Sequence, residues 1–233
     1  MLTSVLNQTY SDWELLLVDD CSTDGSFALI QDYAKKDARI HVFQNAQNSG
    51  PGPTRNKAIE EATGDCVAFL DSDDAWLPTF LERSVARMQE TKAGFTYAGC
   101  ERWNDDFSQK FDEVQVPERI TYKELLLTCP IICSTAMIHV EHFAKKYMPS
   151  IPRRQDYVLW LEYLKEIPFA TGINEPLLKY RVRKSSVSSN KWKLIKHQFS
   201  VYYRFQKLGL FSSIFYTCTW AYFGFMKYRK IKR

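Results

Sequence analysis

Short apolar runs alternate with helix-like segments along the first hundred residues. The uninterrupted apolar stretches at residues 15–18 and 66–70 predict strands that are buried on both faces, as in a parallel sheet. Apolar positions between them recur at three- and four-residue spacing, which predicts helices. This alternation predicts an α/β fold with a Rossmann-like, mostly parallel sheet flanked by helices.

Turn and capping residues set the expected bounds of these elements. A helix is expected from Pro53, which suits a first helical turn, to Thr63, with Gly64 ending it. Pro78 is expected to open the next helix, and Thr121 with the acid three residues later is a capping-box candidate. The remaining predicted elements are strands at residues 40–43, 94–97, 134–138 and 177–183 and helices at residues 27–34, 156–165 and 191–207.

Basic residues are concentrated at the C-terminal end of the chain. From Pro176 onwards there are 14 Lys and Arg and no acid, whereas the preceding residues hold 17 Lys and Arg against 27 Asp and Glu. Residues 210–226 are nearly uncharged, but Ser, Thr and Cys interrupt them, so an interfacial helix is favoured over a membrane span. We expect a catalytic domain over residues 1–183 and a C-terminal helical, basic and aromatic tail over residues 184–233 that binds a membrane surface.

The six cysteines form no Cys-x-x-Cys pair, and no signal peptide precedes them. This pattern predicts free thiols rather than a disulfide framework or a zinc site. With the tail, it predicts a cytoplasmic protein held peripherally at the inner face of the cell membrane. The tail's aromatic residues are mixed with a long apolar run rather than a basic groove, so no nucleic-acid partner is expected.

Two acidic clusters follow predicted strands, Asp19-Asp20 and Asp71-Ser72-Asp73-Asp74. Because ligands of parallel α/β sheets bind beyond the carboxyl ends of the strands, both clusters are expected at one site. Three carboxylates within four residues repel one another, and a divalent cation among them relieves that repulsion. Oxygen ligands select Mg²⁺ or Mn²⁺, which can bridge to a diphosphate. The alternative interpretation of the second cluster is a turn that caps the following helix.

Four stretches of the chain resemble the inverting family 2 glycosyltransferases with the GT-A fold, of the bacterial capsule and O-antigen type. In chain order they are SVLNQTYSDWELLLVDDCSTDGS, NSGPGPTRNKAIEEATGD, VAFLDSDDAWLP and RRQDYVLWLEYL. The resemblance implies transfer of a sugar, with inversion, from a nucleotide-sugar donor. UDP is the nucleotide it favours, and the acceptor it implies is a hydroxyl of a lipid-linked or polysaccharide molecule.

The resemblance also implies roles for individual residues. Asp20, with Asp19, would hold the base or ribose of the nucleotide. Arg55 and Asn56 would lie near the nucleotide as well.

The family's metal motif and base are matched by later residues. Asp71 and Asp73 match its Asp-x-Asp motif, with Asp73 favoured as the direct ligand of Mn²⁺ or Mg²⁺ and Asp74 as a neighbour that shapes the site. Asp156 occupies the position of the catalytic base. The alternative interpretation of Asp156 is a first-turn aspartate that the helix dipole stabilises.

Three positions depart from the family's pattern. Cys21 stands where glycine is usual, and Gln155 stands where a second acid is common. The chain opens inside what should be the first helix, so we expect a strand and loop of the nucleotide pocket to be absent and the sheet to have a gap. Residues 180–186 resemble the segment that follows the catalytic core, and they are expected either to supply cations to the diphosphate or to form a solvated loop.

Two other functions remain open at this point. A metal-dependent nucleotidyltransferase also uses carboxylate-bound Mg²⁺ on a Rossmann-like sheet, although NSGPGPTRNK only loosely imitates its phosphate loop. A GT-A remnant without turnover, acting as a binding or scaffold protein, would keep the same motifs.

Overall fold

The computed structural model of the chain describes residues 1–183 and 191–231. Its helices are α1 (Leu2–Leu6), α2 (Ser26–Ala34), α3 (Pro51–Glu61), α4 (Phe80–Thr91), α5 (Tyr122–Leu127), α6 (Gln155–Leu164), α7 (Lys191–Ser200) and α8 (Leu210–Ile231). Its strands are β1 (Leu15–Asp19), β2 (Ile40–Gln44), β3 (Cys66–Ala68), β4 (Ala75–Trp76), β5 (Phe95–Trp103), β6 (Lys110–Val114), β7 (Arg119–Ile120), β8 (Met137–His139) and β9 (Ala170–Arg181). A 3₁₀ turn covers Cys133–Thr135, and a π-helical turn at Val201–Phe205 follows α7.

The strands form two ladders. β1 and β2 pair in parallel as a two-stranded sheet of their own. The second sheet has seven strands, with the order β3-β8-β5-β9-β4 and with β6 and β7 added to β5 and β9. Among the described residues β1 has no hydrogen-bonded partner in the second sheet.

The α/β class is confirmed, but the expectation of a mostly parallel sheet needs correction. Within residues 1–183 and 191–231, only the β1–β2 and β5–β9 pairings are parallel, and the five other pairings are antiparallel. Two of the antiparallel pairings arise because β8 lies between β3 and β5 and runs antiparallel to both, and the other three join β6 to β5 and both β4 and β7 to β9. An apolar run identifies a buried strand, but the strand that will lie beside it is decided by distant parts of the chain.

Helix α6 lies at the centre of the larger apolar core. Eight of its ten residues are buried, so the helix is apolar on nearly all sides, as expected for a central helix. Trp160 on α6 is fully buried, and its ring centroid lies 5.6 Å from that of Phe69 and 5.2 Å from that of Phe95. A second core cluster contains the stacked rings of Trp76 and Phe80. Core packing is therefore the role of Trp76 and Trp160.

Several predicted element bounds shift by a few residues. Helix α3 begins at Pro51 rather than Pro53, because Gly50 provides the turn into it. The strand expected at residues 134–138 is a 3₁₀ turn followed by β8. The capping box of α5 is confirmed, with Thr121 accepting from the backbone N–H of Glu124 while the Glu124 side chain bonds back to Thr121.

The first part of the tail packs into the same core as α6. Val201 and Tyr202 are fully buried, and the Tyr202 hydroxyl donates to the carbonyl oxygen of Leu126 at 2.6 Å. Tyr122 on α5 donates to the side chain of Gln206 at 2.9 Å. Residues 184–190 and 232–233 of the expected tail lie outside the described residues. Within the described part of the chain, no helix is both long and apolar enough to cross a bilayer.

Candidate active site

Both acids at the end of β1 are held by hydrogen bonds from the protein. Buried Asp19 accepts through Oδ2 from the backbone N–H of Ser22 and from Gln44, each at 3.0 Å. Burial opposes ionisation of Asp19, but these hydrogen bonds outweigh it and keep its pKa below the ordinary value. Asp19 is therefore an ionised acid that fixes the β1 loop.

Asp20 anchors the loop that leads into α3. Its Oδ1 accepts from the Asn45 amide at 2.7 Å and from the Ser49 N–H at 2.8 Å, and its Oδ2 accepts from the Gly50 N–H at 2.7 Å. Gly50 has a φ of 81°, a conformation that residues with a Cβ rarely adopt. Burial raises the pKa of Asp20, but the hydrogen bonds lower it further, so the carboxylate is charged. Its implied contact with base or ribose stays a prediction, since both oxygens already have protein partners.

The residue that follows these two acids has an unusual backbone conformation. Cys21, which stands where the family usually has glycine, has a φ of 63° in the left-handed region. The cysteine substitution therefore does not prevent the positive φ angle, although it adds about 1 kcal/mol or more of backbone strain.

Arg55 joins α3 to the second acidic cluster. Its guanidinium forms a salt bridge with Asp71 Oδ1, and about a fifth of its side chain is exposed. Burial disfavours the charge on Arg55, but nearby groups that include Asp71 and Asp156 raise its pKa above the ordinary value. Arg55 is therefore a permanent cation that is ion-paired with the Asp-x-Asp segment and is stabilised electrostatically by the expected base.

Asn56, the neighbour of Arg55, has a structural role in this geometry. Its amide donates to the Met148 carbonyl at 2.8 Å and its side-chain oxygen accepts from the Met148 N–H at 2.7 Å. The side chain thus ties α3 to the loop that precedes α6. Its implied proximity to the nucleotide stays a prediction.

Asp74 is the buried member of the second cluster, with 2% of its surface exposed. Its Oδ2 accepts from Ser134 at 2.7 Å and its Oδ1 accepts from the Arg181 N–H at 3.1 Å. Burial raises the pKa of Asp74 to about 6, and the charges of Asp71 and Asp73 add to that rise against the hydrogen bonds that lower it. Both oxygens of Asp74 are used by the protein, so its position suits a supporting residue.

Asp73 is more accessible than Asp74. Its side chain is 35% exposed, and its Oδ2 lies 3.4 Å from Nε of Arg183. Arg181 donates through Nε to the Asp73 carbonyl at 2.8 Å and lies over the ring of Phe107. Two residues of the predicted basic segment therefore reach the acidic cluster, while residues 184–186 lie outside the described residues.

The carboxylates of Asp71, Asp73 and Asp74 fit a divalent cation. One oxygen from each lies within 4.8 Å of the others, and the mutual repulsion that raises the pKa of Asp74 is the repulsion that a cation removes. Carboxylate oxygens are the ligands that Mg²⁺ and Mn²⁺ prefer. Both oxygens of Asp74 are hydrogen-bonded, whereas Asp71 and Asp73 are each ion-paired through one oxygen, to Arg55 and Arg183, and each keeps a second oxygen for a cation.

Asp156 lies in the first turn of α6, partly exposed. The electrostatic influence of Asp156 reaches both Arg55 and the buried thiol of Cys133. The structure thus brings Arg55, Asp71 and Asp156 together, while Asp19 and Asp20 reach this group only through the loop into α3. No hydrogen-bond partner of the Asp156 side chain occurs among the described residues, which leaves its oxygens open to a ligand.

Ser134 is a residue of the site that the sequence did not reveal. It accepts from the backbone N–H of Asp71 at 3.1 Å and donates to Asp74, and its carbonyl accepts from the indole of Trp76 at 2.7 Å. Ser134 is fully buried in the 3₁₀ turn, in a stretch that was predicted as a strand. No local signal marks it, since its partners are about 60 residues away.

The sequence profile described as Glycosyl transferase family 2 matches residues 1–145. A Bacillus subtilis protein named as a teichuronic acid biosynthesis glycosyltransferase is 40% identical over 230 residues, which cover 99% of this chain and 89% of that protein. An Escherichia coli protein named as a UDP-Glc:alpha-D-GlcNAc-diphosphoundecaprenol beta-1,3-glucosyltransferase is 34% identical over 229 residues, which cover 97% of this chain and 88% of that protein.

Solved structures confirm the fold class. The TM-score is 0.70 with S. aureus TarS 1-349 in complex with UDP-GlcNAc, at 19% identity over 88% of this chain and 62% of that one. It is 0.60 with a mannosyltransferase from Pyrobaculum calidifontis in complex with GDP-Man and Mn²⁺, at 18% identity over 85% of this chain and 56% of that one. The chain thus spans less than two thirds of these structures. Together with the profile match and the two relatives, the acidic clusters and Asp156 lead to one conclusion: the chain belongs to glycosyltransferase family 2.

Proposed function

We propose that this chain transfers a sugar from a UDP-sugar to a hydroxyl of a lipid-linked acceptor, with inversion and with Mn²⁺ or Mg²⁺ bound. The observation that carries the proposal is the cluster of Asp71, Asp73 and Asp74, to which Arg55 joins Asp156 electrostatically. Sugar transfer from a nucleotide requires a centre that holds a metal and the diphosphate and a carboxylate that can accept a proton, and the cluster and Asp156 offer these two features.

The donor and acceptor follow from the relatives. The name of the E. coli relative gives UDP-Glc as its donor and a diphosphoundecaprenol-linked sugar as its acceptor. The TarS structure holds UDP-GlcNAc, and the mannosyltransferase structure holds Mn²⁺ with GDP-Man. We infer a UDP-sugar for this chain because its 34% identity with the E. coli relative covers 97% of the chain.

In the proposed reaction, some residues act on the donor and Asp156 acts on the acceptor. Asp73, with Asp71, would hold the divalent cation, which when bound neutralises charge on the departing nucleoside diphosphate. Arg55 keeps Asp71 in place and adds positive charge next to the cluster. Asp156 accepts the proton of the acceptor hydroxyl as that oxygen attacks the anomeric carbon from the face opposite the leaving group, which inverts the configuration.

The reaction products test this proposal. The full chain with Mn²⁺ and either UDP-Glc or UDP-GlcNAc is expected to release UDP, and EDTA is expected to stop the release. Chromatography of the nucleotide products, with an assay for inorganic pyrophosphate, measures this directly. Release of pyrophosphate would instead indicate a nucleotidyltransferase. Calorimetry that detects no binding of UDP with Mn²⁺ would indicate a remnant without donor binding.

We also propose that α8 holds the protein against an anionic membrane surface, where a lipid-linked acceptor is found. Phe211, Phe215 and Tyr222 lie on one face of α8 and are 87%, 60% and 59% exposed, whereas Ser213 and Thr217 on the opposite face are buried. An apolar outer face with no acidic residue nearby in sequence suits the boundary between headgroups and acyl chains. The basic residues after Glu175 complement anionic lipid headgroups.

Replacing Phe211 and Phe215 together by Ser is expected to weaken binding to phosphatidylglycerol-containing vesicles by roughly 10- to 100-fold. Each buried aromatic side chain contributes about 1.5–3 kcal/mol to transfer out of water, and partial insertion reduces that contribution. Vesicle co-sedimentation measures the effect. Leu29→Ser on α2 is the matched control, because Leu29 is 55% exposed on another helix. Equal binding by the double variant and the control would contradict the proposed membrane contact.

A further inference from the structure

Two arginines directly before α6 have an arrangement that the proposed chemistry does not use. The guanidinium of Arg154 lies over two aromatic rings, 4.8 Å from the centroid of Trp220 on α8 and 5.8 Å from that of Tyr157 on α6. Arg154 also has a φ of 67°, in the left-handed region that a side chain with a Cβ rarely adopts. Strained backbone and a stacked cation together fix the position of this guanidinium.

Polar atoms of this segment lack partners. Nη1 of Arg153, Nε of Arg154 and the side-chain oxygen of Gln155 are buried, and none of the three has a hydrogen-bond partner within the described ranges 1–183 and 191–231. Buried donors of native proteins are nearly always paired. Two cations with unused N–H groups therefore point to an anionic ligand.

Arg153 and Arg154 adjoin two regions that are described above. Asp156, the proposed base, follows Arg154 by two residues in the first turn of α6. Trp220 belongs to α8, whose outer face carries the exposed aromatic residues. Arg154 thus connects the start of α6, where the proposed base lies, to the helix that is proposed to contact the membrane. The N-terminal end of the ten-residue helix α6 adds positive potential at the same place.

We propose that Arg153 and Arg154 bind the phosphate groups of the lipid-linked acceptor and that Trp220 is a positioning residue for Arg154. This inference rests on the proposed function, because it assigns the acceptor's diphosphate to a site of its own, separate from the carboxylate cluster that takes the donor. The planar guanidinium matches phosphate oxygens in a two-pronged contact, which a lysine would not reproduce. The acceptor sugar would then extend towards Asp156 and its lipid chain towards α8.

The test uses farnesyl diphosphate as the probe, titrated into the full chain by calorimetry. EDTA is present, so that no cation can hold the diphosphate at the carboxylate cluster. The wild-type chain is expected to bind farnesyl diphosphate and to bind farnesol, which has no phosphate, at least tenfold more weakly. Replacing Arg153 and Arg154 together by Gln is expected to weaken farnesyl diphosphate binding by at least tenfold, because two charge-assisted contacts are lost.

Arg119→Gln is the matched control, since Arg119 also lies over an aromatic ring, 4.7 Å from the centroid of Phe169, but far along the chain from α6 and α8. It is expected to bind the probe as the wild type does. Arg153→Gln alone gives a second measurement if loss of the Arg154 stacking prevents folding. Trp220→Leu is expected to weaken binding in the wild-type background and to have little further effect in the Arg154→Gln background, a non-additivity that a merely structural role would not produce.

Three results would overturn the inference: no binding of farnesyl diphosphate by the wild type, equal binding of farnesol, or unchanged binding after the double replacement. Failure of the proposed function would be seen elsewhere, as absence of UDP binding or UDP release with Mn²⁺. The two experiments use different sites and different ligands, so each can fail without the other.

Discussion

Asp73→Asn is expected to lower UDP release from a UDP-sugar by roughly 1000-fold and to remove most Mn²⁺-dependent binding of UDP. The amide keeps the shape of the side chain but loses the charge that a divalent cation requires. Loss of about 4 kcal/mol of charge stabilisation corresponds to that rate. Turnover is measured by UDP release, and binding by calorimetry with UDP at a fixed Mn²⁺ concentration.

Asp105→Asn is the matched control for this variant. Asp105 lies within 3.8 Å of Arg181 and within 3.7 Å of Arg183, so it contacts the same two arginines as Asp73, but its side chain is 74% exposed. It is outside the cluster of three carboxylates that fits a cation. Full turnover is expected for Asp105→Asn. If Asp73→Asn behaved like this control, Asp73 would not be a metal ligand, and the second acidic cluster would be only a turn before α4.

A series of contacts through α3 connects the two acidic clusters. Asp20 holds the backbone of Gly50, where α3 begins. Five residues into that helix, Arg55 reaches Asp71. The first cluster thus supports the second through a helix rather than by direct contact, and the second is fixed from the other side by Ser134.

The parts of the fold that the sequence predicted are those with local causes. The apolar run at residues 15–18 is a strand whose observed extent, Leu15–Asp19, ends in the acid that was expected to follow it, with Leu17 and Asp19 buried and the other three residues partly buried. The capping box of α5 is likewise decided within four residues, by Thr121 and Glu124. Such features depend on sequence neighbours, which is why pattern alone locates them.

The parts that the sequence did not predict depend on distant contacts. The placement of β8 between β3 and β5 follows from packing across the sheet, and nothing in residues 134–138 indicates it. Ser134 contacts Asp74 over 60 positions, and the Arg181 N–H contacts it over 107. A motif of three carboxylates reveals the ligands of a site, but the groups that orient them come from elsewhere in the chain and carry no pattern of their own.

The family resemblance implies nucleotide contacts for residues whose observed hydrogen bonds are made to the protein itself. Asp20 and Asn56 match family positions near the nucleotide, yet their side-chain polar groups are used by Ser49, Gly50 and Met148. Asp20 holds the N-terminal end of α3, and Asn56 ties the middle of that helix to the loop before α6. A sequence match identifies a position that the site needs, whereas the contacts decide whether the residue binds a ligand or holds the chain that does.

Asp156→Asn is expected to lower UDP release by about 10²- to 10⁴-fold, the contribution typical of a general base, while binding of UDP with Mn²⁺ stays near the wild-type affinity. The salt bridge between Arg55 and Asp71 does not involve Asp156, so the donor side of the site is retained. Loss of the helix-dipole interaction alone costs about 0.3–1 kcal/mol of stability, which thermal unfolding measures. Glu82→Gln, in the first turn of α4, controls for that loss. If both variants showed the same small fall in stability and neither lost turnover, Asp156 would be a helix-stabilising acid and the base would lie elsewhere.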